Sequence, residues 1–180
     1  MKKVFLIFGT AILFIACNDK KEADGTASEK DATSTEQINY AYTPSNHPPD
    51  NWDIGDMKNV AIVLNSLKAW EEGNVDECLT AFADSVRWTA DAMDKKMSKA
   101  ELRDFFNEYR PNLSSVKIVM DDYESVISKD KKDEWVSMWY KEITTDKDGK
   151  TDSLYYMDDA KIENGKIVLI DSKHRRFPAE

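Results

Sequence analysis

The hydrophobic pattern of this chain changes period once, and that change limits its fold more than any other feature. Between Met57 and Trp70 the apolar residues Met57, Val60, Ala61, Leu64, Leu67 and Trp70 fall at helical spacing. Gly73 supplies a stop, and Asn74 caps a short second helix with Glu77 as its reciprocal partner. Val86 to Thr89 reads as a short strand. Ser98 with Glu101 forms a second capping box, opening a helix that presents Leu102, Phe105, Phe106 and Tyr109 on one side and is closed by Pro111. From Val116 onward the period is two, with strands at about 116–127, 134–145, 153–163 and 166–176. Asp148-Gly149 and Asn164-Gly165 are the turn pairs between the later strands. Helices first and antiparallel strands after make an α+β domain, not an alternating βαβ one, so no parallel nucleotide-binding sheet is expected.

The start of the chain reads as an address. Met1-Lys2-Lys3 is basic, and Val4 to Ala16 is an uncharged, mostly apolar run of 13 residues. That is short of the roughly 20 residues of a spanning helix but has the form of a secretory signal over 1–16. Phe14-Ile15-Ala16-Cys17 resembles the lipobox of bacterial lipoproteins. The resemblance implies cleavage before Cys17 and acylation of that residue; an ordinary signal peptide with an incidental cysteine is the alternative. The expected location is the cell envelope, with the domain outside the cytoplasm and held to a bacterial membrane by acyl chains on Cys17. Asn18 to Asp50 contains no Val, Leu, Phe or Trp and ends in Pro44, Pro48 and Pro49. It reads as a flexible stalk over 17–51, with His47 exposed, followed by the folded domain over 52–180.

Composition narrows the chemistry. Asp and Glu number 34 against 25 Lys and Arg, a net charge of −9, which repels phosphate backbones and argues against nucleic acid as a partner. Cleavage before Cys17 removes two lysines and no acid, taking the charge to −11. Two Cys and two His leave too few ligands for a structural zinc module. With Cys17 acylated, Cys78 has no partner, and among Val75, Leu79 and Phe82 it reads as a buried apolar residue. Asp146, Asp148 and Asp152 resemble part of a calcium loop, but the hairpin turn accounts for them more simply. No Gly-rich phosphate loop, nucleophile elbow or His-Glu-x-x-His motif occurs, and neither cofactor nor metal is expected.

The order of elements, together with Phe82-Ala83-Asp84-Ser85-Val86-Arg87-Trp88 and the closing Lys161-Ile162-Glu163-Asn164-Gly165-Lys166-Ile167, resembles the nuclear-transport-factor-two-like (SnoaL-like) superfamily over about 54–177. The resemblance implies a cone: a strongly curved antiparallel sheet wrapped around N-terminal helices, with a pocket at its open end. Family members include isomerases, cyclases, dehydratases and non-enzymatic binding modules, so fold does not settle function. The ketosteroid isomerases of this family carry a base Asp at a position that falls near Thr89 here, with Asp91 two residues on; Thr is a poor general base.

Pocket residues follow from the aromatic content. Trp70, Trp88, Phe105, Tyr109, Trp135, Trp139 and Tyr156 are the expected ligand-pocket residues, with core packing or a buried subunit interface as the alternative. The strand around Trp135 puts Trp135, Ser137 and Trp139 on one face and Val136, Met138, Tyr140 and Glu142 on the other. Among the acids, Asp121-Asp122 and Asp158-Asp159 each offer one carboxyl inward, and Asp158, sharing a face with Tyr156, is the candidate base. Asp171 and His174 fall on opposite strand faces, and His174 beside Arg175 and Arg176 reads as an exposed strand end. The sequence thus points to non-enzymatic binding of a small apolar or aromatic ligand or a protein partner. The alternative is an isomerase, cyclase or hydratase using a pocket Asp or Tyr. A homodimer through the outer sheet face is a third reading.

Overall fold

The computed structural model describes residues 38–91 and 93–176. Residues 1–37, including the signal-like segment, Cys17 and most of the expected stalk, lie outside the described residues. The chain from Tyr42 onward forms one compact unit. Before the first strand the backbone is irregular and mostly exposed, with Tyr40 and Tyr42 open to solvent. His47 departs from the expectation of exposure: it is half-buried, its ring edge-on to Trp52 at 5.5 Å.

Twelve elements follow in order, beginning with β1 (Trp52–Ile54), α1 (Met57–Glu72) and α2 (Val75–Cys78). After a 3-10 turn at Leu79–Ala81 come β2 (Phe82–Ala90), β3 (Met93–Ser98) and α3 (Lys99–Tyr109). A second 3-10 turn at Arg110–Asn112 leads to β4 (Leu113–Ser128), β5 (Glu134–Asp146), β6 (Thr151–Glu163) and β7 (Lys166–Arg176). The caps behave as their side chains dictate. Gly73 takes the left-handed conformation at φ 82 and returns its N–H to the end of α1. Asn74 accepts from the Glu77 backbone, and Ser98 with Glu101 forms a complete capping box. Asn164 and Gly165 both have positive φ, 51 and 69, which matches a two-residue turn following the right-handed strand twist.

The strands make one curved, unclosed seven-stranded sheet in the order β1-β4-β5-β6-β7-β2-β3. Neighbours are antiparallel except β2 and β7, which run parallel, so the sheet is mixed and not purely antiparallel. The reason is topological. Helix α3 and the β4–β7 meander separate the two strands, and β7 returns in the direction of β2. β1 and β3 were not anticipated, and β2 is longer than expected; β1 holds only three residues, and β3 is the polar edge Met93–Ser98, buried only at Met97.

The helices lie on the concave face. Leu79, Leu102, Val86, Val136, Ile162 and Ile167 are essentially inaccessible and bind the two layers, each worth roughly 1.5–3 kcal/mol of burial. In β7 the register shifts so that Leu169 faces Lys161 while Ile167 faces Ile162, leaving Val168 as the extra residue. The bulge reverses the alternation, so Ile167 and Ile170 are both buried.

Candidate functional site

The concave face encloses a cavity of about 310 Å³. Its walls follow from the two periodicities. Helix α1 contributes Val63, Leu67 and Trp70, three and four residues apart, and α3 contributes Phe105, Phe106 and Tyr109. The inner-facing positions of the sheet are Trp88 on β2, Met138, Tyr140 and Glu142 on β5, and Tyr156 and Asp158 on β6. Ile170, Ser172 and His174 come from β7, beyond the bulge that turns them inward.

Aromatic rings interlock around this space. Trp70 lies 5.2 Å from Phe106 and stacks on Tyr109 at 6.1 Å. Trp88 meets Phe106 edge-on at 5.7 Å, and Tyr140 stacks on Tyr156 at 5.3 Å. Phe105 and Tyr109 remain partly exposed and form the rim.

Two carboxyls are buried in this apolar wall. Asp158 accepts from the Tyr140 hydroxyl at Oδ2 and from the Ser172 hydroxyl at Oδ1, each at 2.7 Å. Burial pushes its pKa up to about 6, against the two hydrogen bonds that favour the anion. Glu142 accepts from the Trp70 indole at Oε2, 3.1 Å away. Burial also raises Glu142, and the neighbouring Asp158 charge adds to this, while the Trp70 bond and the Arg110 charge oppose it. Burial raises Tyr140 and Tyr156 above the ordinary phenol range, so both stay neutral hydroxyls. A buried carboxyl that titrates near neutrality, held by hydroxyl donors, is able to accept or return a proton.

Trp70, Trp88, Phe105, Tyr109, Tyr156 and Asp158 thus meet at one cavity. Trp135 and Trp139 do not. They lie half-buried on the opposite face of β5, interleaved with Ser137 and Lys141, while Val136, Met138, Tyr140 and Glu142 face in. A serine between the tryptophans and a lysine just after them mark the solvent side, and the apolar run Val136-Met138-Tyr140 marks the core side. That signal would have found Tyr140 and Glu142, the two wall residues passed over in favour of the tryptophans. His174 is exposed near the end of β7, as expected, and it also lines the mouth of the cavity, its Nε2 3.6 Å from Asp91.

The other acidic residues sit elsewhere. Thr89, at the position of the isomerase base, is outside the cavity lining and donates to Ile170 O and Asp171 Oδ1. Asp91 occupies the β2–β3 turn at φ 42 and is mostly exposed. Asp159 bonds Ser137 and Lys173, and Asp171 bonds Lys173. Asp121 accepts from the Tyr155 hydroxyl, and both Asp121 and Asp122 are exposed. Asp146 receives the backbone N–H groups of Asp148 and Lys150, so its carboxylate closes the hairpin turn. No metal-binding cluster occurs among the described residues. Cys78 is buried, its backbone carbonyl accepts from Ser66 Oγ, and burial raises its thiol pKa, so it is a protonated packing group.

The fold resembles those of solved proteins at low sequence identity. AusH from Aspergillus nidulans superposes with a TM-score of 0.56 at 12% identity, covering 71% of this chain and 90% of that one. An LEH-like epoxide hydrolase from M. tuberculosis gives 0.55 at 9% identity, covering 66% and 84%. An NTF2-like protein of unknown function from Burkholderia pseudomallei gives 0.53 at 18% identity, covering 67% and 91%. No curated protein matches the sequence. The SnoaL-like domain profile matches residues 63–170, from the α1 residue that opens the cavity wall to the β7 residue beyond the bulge, and the chain belongs to that family.

Proposed function

We propose that the cone holds a small, largely apolar, ring-bearing molecule whose polar end faces Glu142 and Asp158. The cavity carries this reading: about 310 Å³ lined by aromatic rings with a few convergent polar groups. That is twice the roughly 150 Å³ that accommodates a benzene molecule, so the space suits about two rings. The test is native mass spectrometry of the purified protein, followed by NMR titration with small aromatic compounds. Added mass lost on denaturation, or shifts of the Trp70 and Trp88 indole signals, supports it. A clean apo mass with no shift across the compound set refutes it.

A second reading, supported by the near-neutral titration of Asp158, is proton transfer on the bound molecule in an isomerisation, cyclisation or hydration. Its solved neighbours include an epoxide hydrolase, which shares the fold and not the sequence. Asp158→Asn separates the two readings: turnover lost with binding kept identifies an enzyme, and binding with no turnover in either protein identifies a binding module.

We further place the domain at the cell envelope through acylated Cys17. The Phe14-Ile15-Ala16-Cys17 run supports this, and among the described residues no helix is long and apolar enough to cross a membrane. Cys17→Ala should abolish lipid labelling and release the chain from membranes; an unlabelled wild type that stays membrane-bound overturns the assignment.

A further inference from the structure

The charge inside the cavity is unbalanced. Glu142 and Asp158 are only 9% and 7% exposed, and both line the same space. Their hydrogen-bond donors are all neutral: the Trp70 indole, the Tyr140 hydroxyl and the Ser172 hydroxyl. Glu142 Oε1 accepts no hydrogen bond among the described residues, although the side chain is buried and faces the cavity. Among the described residues no Lys or Arg lines the cavity, and His174 at its mouth lies 3.6 Å from Asp91 rather than against either carboxyl. Arg110 acts on Glu142 only at a distance, because its guanidinium is spent on the carbonyls of Trp70, Glu71 and Leu113. Lys173 is bound to Asp159 and Asp171 on the other side of the sheet.

Buried carboxylates without a cation are costly, and a neutral apolar ligand would desolvate them further without compensation. A cation removes the cost. A positive charge near an aromatic ring gains from the ring quadrupole; Arg110 already lies over the Trp70 ring at 5.8 Å, and the Tyr156 ring lines the cavity with the two carboxyls. The acidic surface of the chain, with a net charge of −9, steers cations toward it.

We propose that the molecule taken by the cone is an organic ammonium ion, its charged head seated against Glu142, Asp158 and the ring of Tyr156. This rests on the reading of the cavity as a ligand site and assigns that ligand its charge.

The test is an isosteric pair: benzyltrimethylammonium and its uncharged carbon analogue neopentylbenzene. Each is titrated into the purified full-length protein at pH 7.5 and followed through the Trp70 indole N–H. The ammonium ion should bind at least tenfold more tightly. Glu142→Gln, which keeps an acceptor for Trp70, should weaken the cation about tenfold more than it weakens the neutral analogue. Equal or tighter binding of neopentylbenzene overturns the proposal and leaves the cavity reading standing. Binding of neither compound overturns both.

Discussion

Asp158→Asn tests the physical state of the cavity before any ligand is known. The wild-type carboxyl titrates at about 6 in the folded protein, against an ordinary value of 3.8. Below 3.8 both folded and unfolded chains carry the proton, and Asp158 makes no difference between them. Between 3.8 and about 6 the unfolded chain releases the proton and the folded one keeps it, so stability falls as pH rises. Above about 6 the folded chain holds a buried carboxylate and the full cost is present. At about 1.4 kcal/mol per pH unit the cost reaches about 3 kcal/mol. Asparagine cannot ionise and keeps hydrogen-bonding capacity for Tyr140 and Ser172. Urea unfolding of both proteins between pH 4 and 7.5 gives the comparison, read as the difference between the two curves. That difference cancels the opposite slope from carboxyls held low, such as Asp130 at about 2. The variant should gain up to about 3 kcal/mol on the wild type across this window. Parallel curves, or a variant that loses ground as pH rises, refute the account of Asp158 as a carboxyl strained by burial.

Other consequences are as direct. A Cβ on Gly55 would clash with Ser125 Oγ and meet the β4 backbone at 3.0 Å, so Gly55→Ala should cost about 1–3 kcal/mol in urea unfolding. Ser125 Oγ is buried without a partner, so Ser125→Ala should leave stability unchanged or raise it by up to about 1 kcal/mol; a clear loss would show that the hydroxyl is satisfied. Ser98→Ala removes half of the α3 capping box and should cost about 1 kcal/mol, seen as a lowered Tm. Cys78, buried and held as a thiol, should stay unreactive toward Ellman's reagent in the native protein and react once in denaturant. Rapid native labelling would show a thiolate.

What was legible in the sequence was local. Gly73, the Ser98–Glu101 pair and Asn164-Gly165 each act within one turn of chain and take their expected roles; Asn74 caps α2 through the Glu77 N–H, but its own N–H goes to Ala69 O, so Glu77 does not reciprocate. The long strands β4 to β7 were readable because each extends over 11 residues or more, long enough to show a period of two although bulges interrupt β4 and β7. β3 was not: Asp94, Lys95 and Lys96 make an edge that no periodicity distinguishes from a loop. The parallel β2–β7 pairing joins segments some 80 residues apart, as in Trp88 opposite Ile170, and nothing local encodes it. The site was legible in part for the same reason. Trp70, Trp88, Phe105, Tyr109 and Tyr156 reach the cavity because large rings on helices and inner strand faces have nowhere else to go. Trp135 and Trp139 face the other way because they share their strand face with Ser137 and Lys141, opposite the buried Val136, Met138 and Tyr140.

The parallel seam between β2 and β7 also sets when the chain is able to finish folding. β2 ends at Ala90, yet its partner strand begins only at Lys166. Until β7 is available, Phe82 and Trp88 have no neighbour on one side of their strand, and the sheet is two disconnected pieces, β2–β3 and β1–β4–β5–β6. Pairing of such distant segments is slow, because a long loop must close before any contact rewards it. A chain emerging from a ribosome therefore stays unfinished until β7 has cleared. Under the envelope location proposed above, this delay would keep the polypeptide threadable through a channel and postpone assembly of the sheet to the far side.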